Sequence, residues 1–461
     1  MEGPQLTTDA PGLRAVFAGR RGRLLMALML AEFGAAVQGI AYSTVLPLAA
    51  SDLDGSKLYG ATLAAATLAS VFMLALGPGV LLRLGLNRAL GIATVMFAAG
   101  AALSALAPAM VWILVGSVIR GLSAGVVAGF GYSALASLYE DALRPRVFGL
   151  FAFMWLVPSI VGPPVNAAIA GSVGWRWAMV WPAVLVIAAR IAIALNSAVI
   201  PQQAGQRRVS PWIGLGVVAS IGVASWASSA HGVAALVAYV VAFAAAVALS
   251  IVLLARAAED RRRLVTLGAF FGLCVVYTSA DAVFSLAIID ALHSTVLIGG
   301  ATVGVAATAW SLLGLLPARR AQGHFGRAPI GAALTLVGVV AFGAVLVWGA
   351  GAVAVGVAVG AAALIGVGMG LAYPVQSSAN FDELDPAHVT PVATAAAFAE
   401  TASVAVGGLL TGGIYSLGVS DGAAPAALLA LGFGVTAVLA AVTVGLAVAA
   451  SRPAKRLREA V

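Results

Sequence analysis

The chain has 461 residues, of which 62% are hydrophobic and only 9% charged, with a formal net charge of +8. A soluble domain carries about 25% charged residues, so this composition excludes a water-soluble enzyme, and the high hydrophobicity excludes a disordered chain. The single cysteine, Cys274, excludes a disulfide framework and a cysteine-based metal site. The four histidines have no metal-ligand spacing, so neither a metal nor another cofactor is expected.

Long apolar segments dominate the chain. A transmembrane helix needs about 20 mostly apolar residues, and these segments lack the period-two alternation of membrane strands. The sequence therefore predicts an all-α integral membrane protein with fourteen transmembrane helices. The predicted spans are 24–50, 59–82, 89–109, 111–138, 147–171, 177–199, 211–230, 232–255, 264–290, 295–317, 328–348, 351–378, 391–416 and 423–449.

The basic residues predict the orientation of these spans. With both termini placed in the cytoplasm, two of the 25 Lys and Arg residues, Lys57 and Arg176, fall outside. Two more, Arg120 and Arg190, fall inside helices, and the other 21 are cytoplasmic. This strong positive-inside bias predicts a multi-pass membrane protein with both ends cytoplasmic. Only two of the 25 basic residues are lysines, Lys57 and Lys455, a composition typical of a GC-rich bacterial genome, so a bacterial cell membrane is expected. The positive charge is therefore explained by membrane topology and anionic lipid, and no nucleic-acid partner is expected.

An internal repeat with an offset of 241 residues aligns three features of the two halves. The segment 83–85 falls on 324–326, Gly125-x3-Gly129-x2-Tyr132 on Gly366-x3-Gly370-x2-Tyr373, and Asp141-x3-Pro145 on Asp382-x3-Pro386. Parallel repeats of this kind place a substrate site between the two halves near the membrane midplane. The predicted organisation is a cytoplasmic segment 1–23, a six-helix bundle 24–200, a two-helix insert 201–263, a second six-helix bundle 264–450 and a basic tail 451–461.

Loop and helix motifs resemble those of the major facilitator superfamily. The loop Gly77-Pro-Gly-Val-Leu-Leu-Arg83-Leu-Gly85-Leu-Asn-Arg88 is similar to the family's loop between helices 2 and 3, with Leu82 where that motif has an aspartate. A second copy ends in Gly326-Arg327. The segment Arg120-Gly-Leu-Ser-Ala-Gly125 resembles the family's helix 4 motif. Over its whole length the chain resembles the fourteen-helix drug:proton antiporter branch, which implies two six-helix bundles with two inserted helices.

The proline-rich segment of the fifth span is similar to the antiporter motif of that branch. It comprises Pro158, Gly162, Pro163 and Pro164, and Asn166-Ala167 replace the family's terminal glycine pair. Prolines inside a span bend it, and glycine lets neighbouring helices approach closely. At the cytoplasmic loops, Asp141 and Asp382 are expected to pair with loop arginines such as Arg144 and so to form gate contacts.

Ionisable residues inside the spans are the candidates for coupling, because each is costly in hydrocarbon unless it is paired or hydrated. They are Glu32, Arg120, Arg190, Asp281 and Glu400. Glu32 lies nine residues past Arg23, and Arg120 lies nine residues in from the outer end of the fourth span, so both are expected near mid-membrane. The resemblance makes the first and fourth spans neighbours, which predicts an ion pair between Glu32 and Arg120 that is released when the carboxylate binds a proton or a cation. A static structural pair is the alternative. Glu400 aligns with Ser159 in the repeat, and the resemblance makes the helices at this position line the central cavity. Glu400 is therefore expected to be a cavity carboxylate, with a buried hydrogen bond between helices as the alternative.

Two further residues are candidates for the substrate cavity. Gln38 stands where the fourteen-helix branch has an acidic residue, so the coupling carboxylate is expected elsewhere in this chain. By the repeat offset, Asp281 aligns with Ile40, next to Gln38. Trp155 and Trp310 either line the cavity or serve as packing.

The leading functional hypothesis is a monomeric, proton-driven exporter of small amphipathic or cationic compounds that works by alternating access. Other hypotheses are a lipid or lipid-linked metabolite exporter of the same fold, an uptake symporter, and a membrane sensor that transports nothing. An enzyme is disfavoured because the loops are short and no nucleotide, metal or Ser-His-Asp pattern is present.

Overall fold

The computed structural model describes residues 16–55, 58–140, 143–196, 211–316, 326–349, 351–420 and 422–451. These residues form long helices joined by short turns. In chain order they are α1 (Gly19–Asp52), α2 (Tyr59–Leu84), α3 (Leu86–Ala105), α4 (Met110–Leu138), α5 (Arg144–Phe153), α6 (Leu156–Val173), α7 (Trp175–Asn196), α8 (Pro211–Ala227), α9 (Val233–Ala257), α10 (Arg261–Asp281), α11 (Val296–Gly314), α12 (Arg327–Trp348), α13 (Ala352–Ala379), α14 (Val389–Gly408), α15 (Ile414–Ser420) and α16 (Pro425–Ala450).

The prediction of an all-α membrane protein is confirmed. Within the described part of the chain, twelve helical segments are long and apolar enough to cross a membrane. Two shorter apolar stretches, Ala64–Leu76 in α2 and Trp212–Ala227 in α8, fall on the second and seventh predicted spans. The predicted count of fourteen spans is therefore not confirmed and stays a prediction.

One membrane segment is interrupted where its sequence requires it. Helix α5 ends at Phe153 and α6 begins at Leu156, so Met154 and Trp155 form a break between them. Pro158 has no N–H to donate to the carbonyl of Met154, which explains why the helical ladder fails there. Pro163 and Pro164 lie inside α6 without breaking it. A Cβ on Gly162 would lie 2.8 Å from the Ile40 side chain, so this glycine permits the close approach of α1.

The two halves, which are helices α1–α7 and helices α10–α16, repeat the same helix packing. Helix α4 packs on α2 and α3, as α13 packs on α11 and α12, and α1 packs on α7 as α10 packs on α16. Gly125 lies against the Ser70 carbonyl on α2, and Gly366 lies against the Ala306 carbonyl on α11. These glycines from the repeat motif thus serve the close helix contacts that such residues make in membranes.

Helices α8 and α9 pack against each other and lie beside both halves. Helix α8 contacts α2, and α9 contacts α14. They are two separate helices, with Gly232 at a φ of 89° in the short turn between them. The prediction of two inserted helices in this region is consistent with that arrangement.

The halves touch each other at one end of the bundle, here called the basic end because Arg144, Arg146 and Arg261–Arg263 begin helices there. Gly149 on α5 lies directly against the Gly314 carbonyl on α11. The rings of Phe148 and Phe381 stack 6.1 Å apart across the same boundary. The other end of the bundle, near Asp52, is called the opposite end.

Candidate functional site

Glu400, on α14, lies at the boundary between the two halves. The hydroxyl of Tyr132, on α4 of the first half, donates to its Oε2. The hydroxyl of Tyr373, on α13 of the second half, donates to its Oε1 at 2.7 Å. The two tyrosine hydroxyls are 3.1 Å apart. Glu400 therefore joins the two halves through the hydrogen bonds that it accepts from these tyrosines.

The internal repeat explains how the two tyrosines meet. Tyr132 and Tyr373 are separated by the repeat offset of 241 residues, so they occupy the same position in α4 and α13. Two symmetry-related helices that face each other bring equivalent side chains together. The sequence analysis used these tyrosines only to align the repeat and did not identify them as partners of Glu400. The signal available in the sequence was that both halves have a tyrosine at the same position of the repeat.

A second carboxylate, Glu32 on α1, lines the same cavity. Its Oε1 accepts a hydrogen bond of 2.7 Å from Nε1 of Trp155, at the break between α5 and α6. Glu32 lies 13 residues from the start of α1, and Glu400 lies 11 residues from the start of α14. At 1.5 Å per residue both are about 16–20 Å from the basic end, which is near the middle of a membrane.

The cavity between these side chains is small. Its volume is about 20 Å³, which is room for about one water molecule. The described residues that line the cavity include two acids and no Lys, Arg or His. The lining residues are Glu32, Tyr132, Phe151, Ala152, Trp155, Trp310, Tyr373 and Glu400. The indole N–H of Trp310 is buried without a hydrogen-bond partner among the described residues, although a buried indole N–H usually has one.

The predicted ion pair between Glu32 and Arg120 is wrong. Nη2 of Arg120 donates to Ser117 Oγ at 3.0 Å, and its guanidinium lies 3.5 Å from the centre of the Tyr42 ring. Tyr42 is ten residues beyond Glu32 on α1, or about 15 Å along the helix. Counting depth from the nearest loop residue placed both charges near the midplane, whereas the packing of α4 on α1 puts Arg120 level with Tyr42.

Arg190 is likewise held inside one half. Its Nη1 donates to the Ala93 carbonyl at 2.7 Å and to Ser123 Oγ. The guanidinium also lies 4.7 Å from the centre of the Phe97 ring, a distance at which a cation–π interaction is favourable. The two arginines within the spans therefore have local partners and lie outside the cavity lining.

Gln38 and Asp281 were predicted cavity residues, and both lie outside the described cavity lining. Gln38 is buried between α1 and α7 and donates to the Met179 carbonyl at 3.1 Å. Asp281 is the last residue of α10, where the helix gives way to a one-turn helix at Phe284–Leu286 and a π-helical turn at Ala287–Ala291. Only Glu32 and Glu400 of the predicted acids meet at one cavity.

The two loop motifs occupy helix boundaries at the basic end. Gly85 precedes α3 with a φ of 73°, which favours glycine, and Arg83 and Arg88 are exposed on either side of it. Gly326 precedes α12. Arg327 donates to the Leu316 and Leu313 carbonyls at 2.7 and 3.1 Å, and so binds the end of α11.

The acidic loop residues were expected to pair with arginines. Nη1 of Arg144 lies 3.9 Å from Oδ1 of Asp382 and donates to the Phe381 carbonyl at 3.0 Å, so this arginine of the first half binds the second half. Asp141 lies outside the described residues.

Arg263 has a role that the sequence analysis did not predict. It donates to the Ala379, Asn380 and Asp382 carbonyls at 2.7–3.0 Å and caps α13. The signal in the sequence for such a capping role was the position of Arg263 immediately before the predicted span 264–290.

Comparison with known proteins identifies the family. The family model described as Major Facilitator Superfamily matches residues 27–408. A probable multidrug-efflux transporter of Mycobacterium tuberculosis is 29% identical over 135 residues, which are 29% of this chain and 29% of that protein. The multidrug transporter protein MdtP of Bacillus subtilis is 22% identical over 34% of this chain and 29% of its own length. The chain thus matches less than a third of the length of these relatives.

Solved structures share the fold over nearly the whole chain. The human organic anion transporter MFSD10 has a TM-score of 0.62 at 15% identity, covering 95% of this chain and 100% of that one. The proton:xylose symporter XylE also has a TM-score of 0.62 at 15% identity, covering 92% and 94%. The match to the family model covers most of the chain and agrees with the repeated helix packing. The chain therefore belongs to the major facilitator superfamily, and its described part has the helices of a multi-pass membrane protein.

Proposed function

We propose that this transporter is a proton-coupled exporter of small amphipathic or cationic compounds and that Glu400 is its principal proton site. The observation that carries the proposal is the position of Glu400: it accepts hydrogen bonds from both halves beside a second carboxylate. The described cavity lining contains no basic side chain, so its acids are available for a proton or a cationic substrate. The relative described as a probable multidrug-efflux transporter supports the efflux direction.

The hydrogen bonds of Glu400 suggest how protonation changes the conformation. While Glu400 is ionised, its charge-assisted bond with Tyr132 ties the first half to the second and favours contact at the basic end. Protonation removes the charge and weakens that bond, so the halves separate more easily at this end. A ligand or proton shifts a conformational equilibrium only through such a difference in interaction between the two states.

This difference has the sign that antiport requires when the basic end faces the cytoplasm. A proton from outside binds Glu400 while the basic end is closed, and the weakened bond lets that end open. The proton then leaves to the cytoplasm, and a cationic substrate takes its place beside Glu32 and Glu400. The cavity of about 20 Å³ must enlarge to admit a substrate.

Proton flux in proteoliposomes that contain a pH-sensitive dye tests the function. On addition of a lipophilic cation, we expect protons to move opposite to the cation. Glu400→Gln mimics the protonated acid, so it should fold normally and lose the dependence of transport on the proton gradient. Glu259→Gln, at an exposed position outside the cavity, is the matched control. Co-movement of proton and substrate would instead indicate symport, and wild-type pH dependence in Glu400→Gln would place the proton site elsewhere.

The proposal includes the predicted topology and localisation. We propose fourteen spans, two six-helix bundles at 24–200 and 264–450 with the insert 201–263 between them, a monomeric state, and both termini on the cytoplasmic side of a bacterial cell membrane. The bias of Lys and Arg to one side supports this orientation. A reporter that is active only in the periplasm, fused after Val461, should be inactive. Reporter activity would contradict an even number of spans.

A further inference from the structure

A crevice separate from the central cavity opens on the surface of the first half, between α1, the break at 154–155 and α7. Its volume is about 850 Å³, within the range of sites that bind small molecules. Its walls are mostly apolar and include three flexible methionines. The residues that the following argument uses are Arg23, Met26, Met29, Leu30, Phe33 and Met154.

The charge in the crevice is confined to one end. Arg23 is exposed at the basic end of α1 and has no hydrogen bond or ion pair with any described residue. From Arg23 to Phe33 the crevice follows ten residues of α1, about 15 Å at 1.5 Å per residue. This is half of the roughly 30 Å hydrocarbon core, or the depth of one leaflet. The crevice thus has a cation at headgroup level and an apolar wall as long as one leaflet is thick.

We propose that this crevice binds an anionic phospholipid, with the lipid phosphate at Arg23 and one acyl chain along α1 toward Phe33. An anionic lipid is favoured over a zwitterionic one because the unpaired guanidinium attracts net negative charge, as basic pockets between membrane helices do. Met26, Met29 and Met154 suit a flexible chain, since methionine adapts its shape to its partner.

The deep end of the crevice gives the bound lipid a consequence for the central cavity. Met154 lines the crevice, while the adjacent Trp155 lines the cavity and donates to Glu32. Both residues lie in the two-residue break between α5 and α6. An acyl chain against Met154 supports this break and therefore helps to hold the indole of Trp155 on Glu32. The lipid is a positioning ligand for that pair, and its binding does not depend on what the protein transports.

Native mass spectrometry of the full-length protein, released from nanodiscs of equal phosphatidylglycerol and phosphatidylcholine, tests the site. The wild-type protein should retain one phosphatidylglycerol. Leu30→Trp, which fills the crevice, should abolish retention, and Arg23→Gln should weaken it about fivefold and remove the headgroup preference. Matched controls are Val241→Trp, an exposed position on α9, and Arg88→Gln, an exposed arginine outside the crevice. Both controls should retain the lipid as the wild type does.

A second measurement locates the lipid. A phosphatidylglycerol with a photoactivatable acyl chain should label peptides from α1 and the 154–155 break in the wild type and not in Leu30→Trp. Unchanged lipid retention in Leu30→Trp, or equal retention of both lipids in wild type and Arg23→Gln, would overturn the proposal. Displacement of the label by a transported lipophilic cation would also overturn it, because the crevice would then belong to the substrate.

Discussion

The two ends of the bundle use polar contacts differently. At the basic end, Arg144 binds the carbonyl of Phe381, and Ser133 lies 3.1 Å from Thr390, so contacts cross from one half to the other. At the opposite end, the described contacts of Asp52 with Trp175 and Arg176 stay within the first half. The contact of Asp290 with Tyr415 stays within the second. In the proposed alternating-access cycle, contacts that cross the halves must break, whereas contacts inside a half can persist. The structure therefore corresponds to the conformation that is closed at the basic end.

Gly149→Ala should produce the largest change, because its new methyl group would collide with the Gly314 carbonyl across the two halves. An overpacked contact typically costs about 1–3 kcal/mol, and here the cost falls only on the closed basic end. Spin labels at residues 140 and 383, in a Cys274→Ser background, should report longer distances. Gly171→Ala, in open space on the same membrane segment, is the control and should leave the distances unchanged. Equal distance distributions in both variants would contradict the assignment of this contact.

The variants Tyr132→Phe and Tyr373→Phe compare a hydrogen bond that crosses the two halves with one that stays within the second half. Each removes one donor to Glu400, and hydrogen bonds to a charged group contribute about 1.5–3 kcal/mol. Only Tyr132 joins the carboxylate to the first half. We therefore expect Tyr132→Phe to lengthen the distances between the same spin labels, and Tyr373→Phe to reduce transport with a smaller change in distance. A larger opening in Tyr373→Phe would refute this distinction.

Double-mutant cycles should distinguish true partners of Glu32 from residues that are merely in the same half. Glu32→Gln and Arg120→Met should have additive effects on the free energy of unfolding, within about 0.5 kcal/mol, because the two sites are not in contact. Glu32→Gln and Trp155→Phe should be non-additive, because their side chains share a hydrogen bond. Thermal or denaturant unfolding in detergent measures both cycles. Strong coupling of Glu32 to Arg120 would indicate that they pair in the conformation that dominates in solution.

Asp52→Asn should have the smallest effect, because the side chains of Asp52 and Arg176 are each about half exposed to solvent. Hydrogen bonds from Trp175 and Arg176 lower the pKa of Asp52 below its usual value. Its contribution to stability is therefore present above the pKa of the unfolded chain and is lost as pH falls through the lower pKa of the folded protein. We expect Asp52→Asn to lower Tm slightly at neutral pH and not in strong acid. Asp54→Asn is the control, and a difference in Tm that persists in strong acid would exclude this explanation.

The internal repeat could be recognised in the sequence because it depends only on the spacing between matching residues. One offset aligned Tyr132 with Tyr373, and the packing of α4 and α13 repeats accordingly. The proline segment was expected to bend the fifth span, and the structure instead breaks it just before Pro158, because the loss of one backbone donor acts locally whatever surrounds the helix. The predicted acids in the spans were found by their cost in hydrocarbon, which is also independent of neighbours.

The sequence by itself determined the membrane class, the helical segments and the repeat, because these depend on hydropathy, length and local backbone chemistry. Only the tertiary structure decided that Glu32 meets Trp155 while Arg120 meets Tyr42. A helix in lipid is apolar on the side that faces lipid as well as on the side that faces protein, so hydrophobic periodicity does not identify its neighbours. Depth counted along a chain also omits the axial offset between packed helices. That offset, visible in the contact of the Arg120 guanidinium with the Tyr42 ring ten residues beyond Glu32, determined which charges could meet.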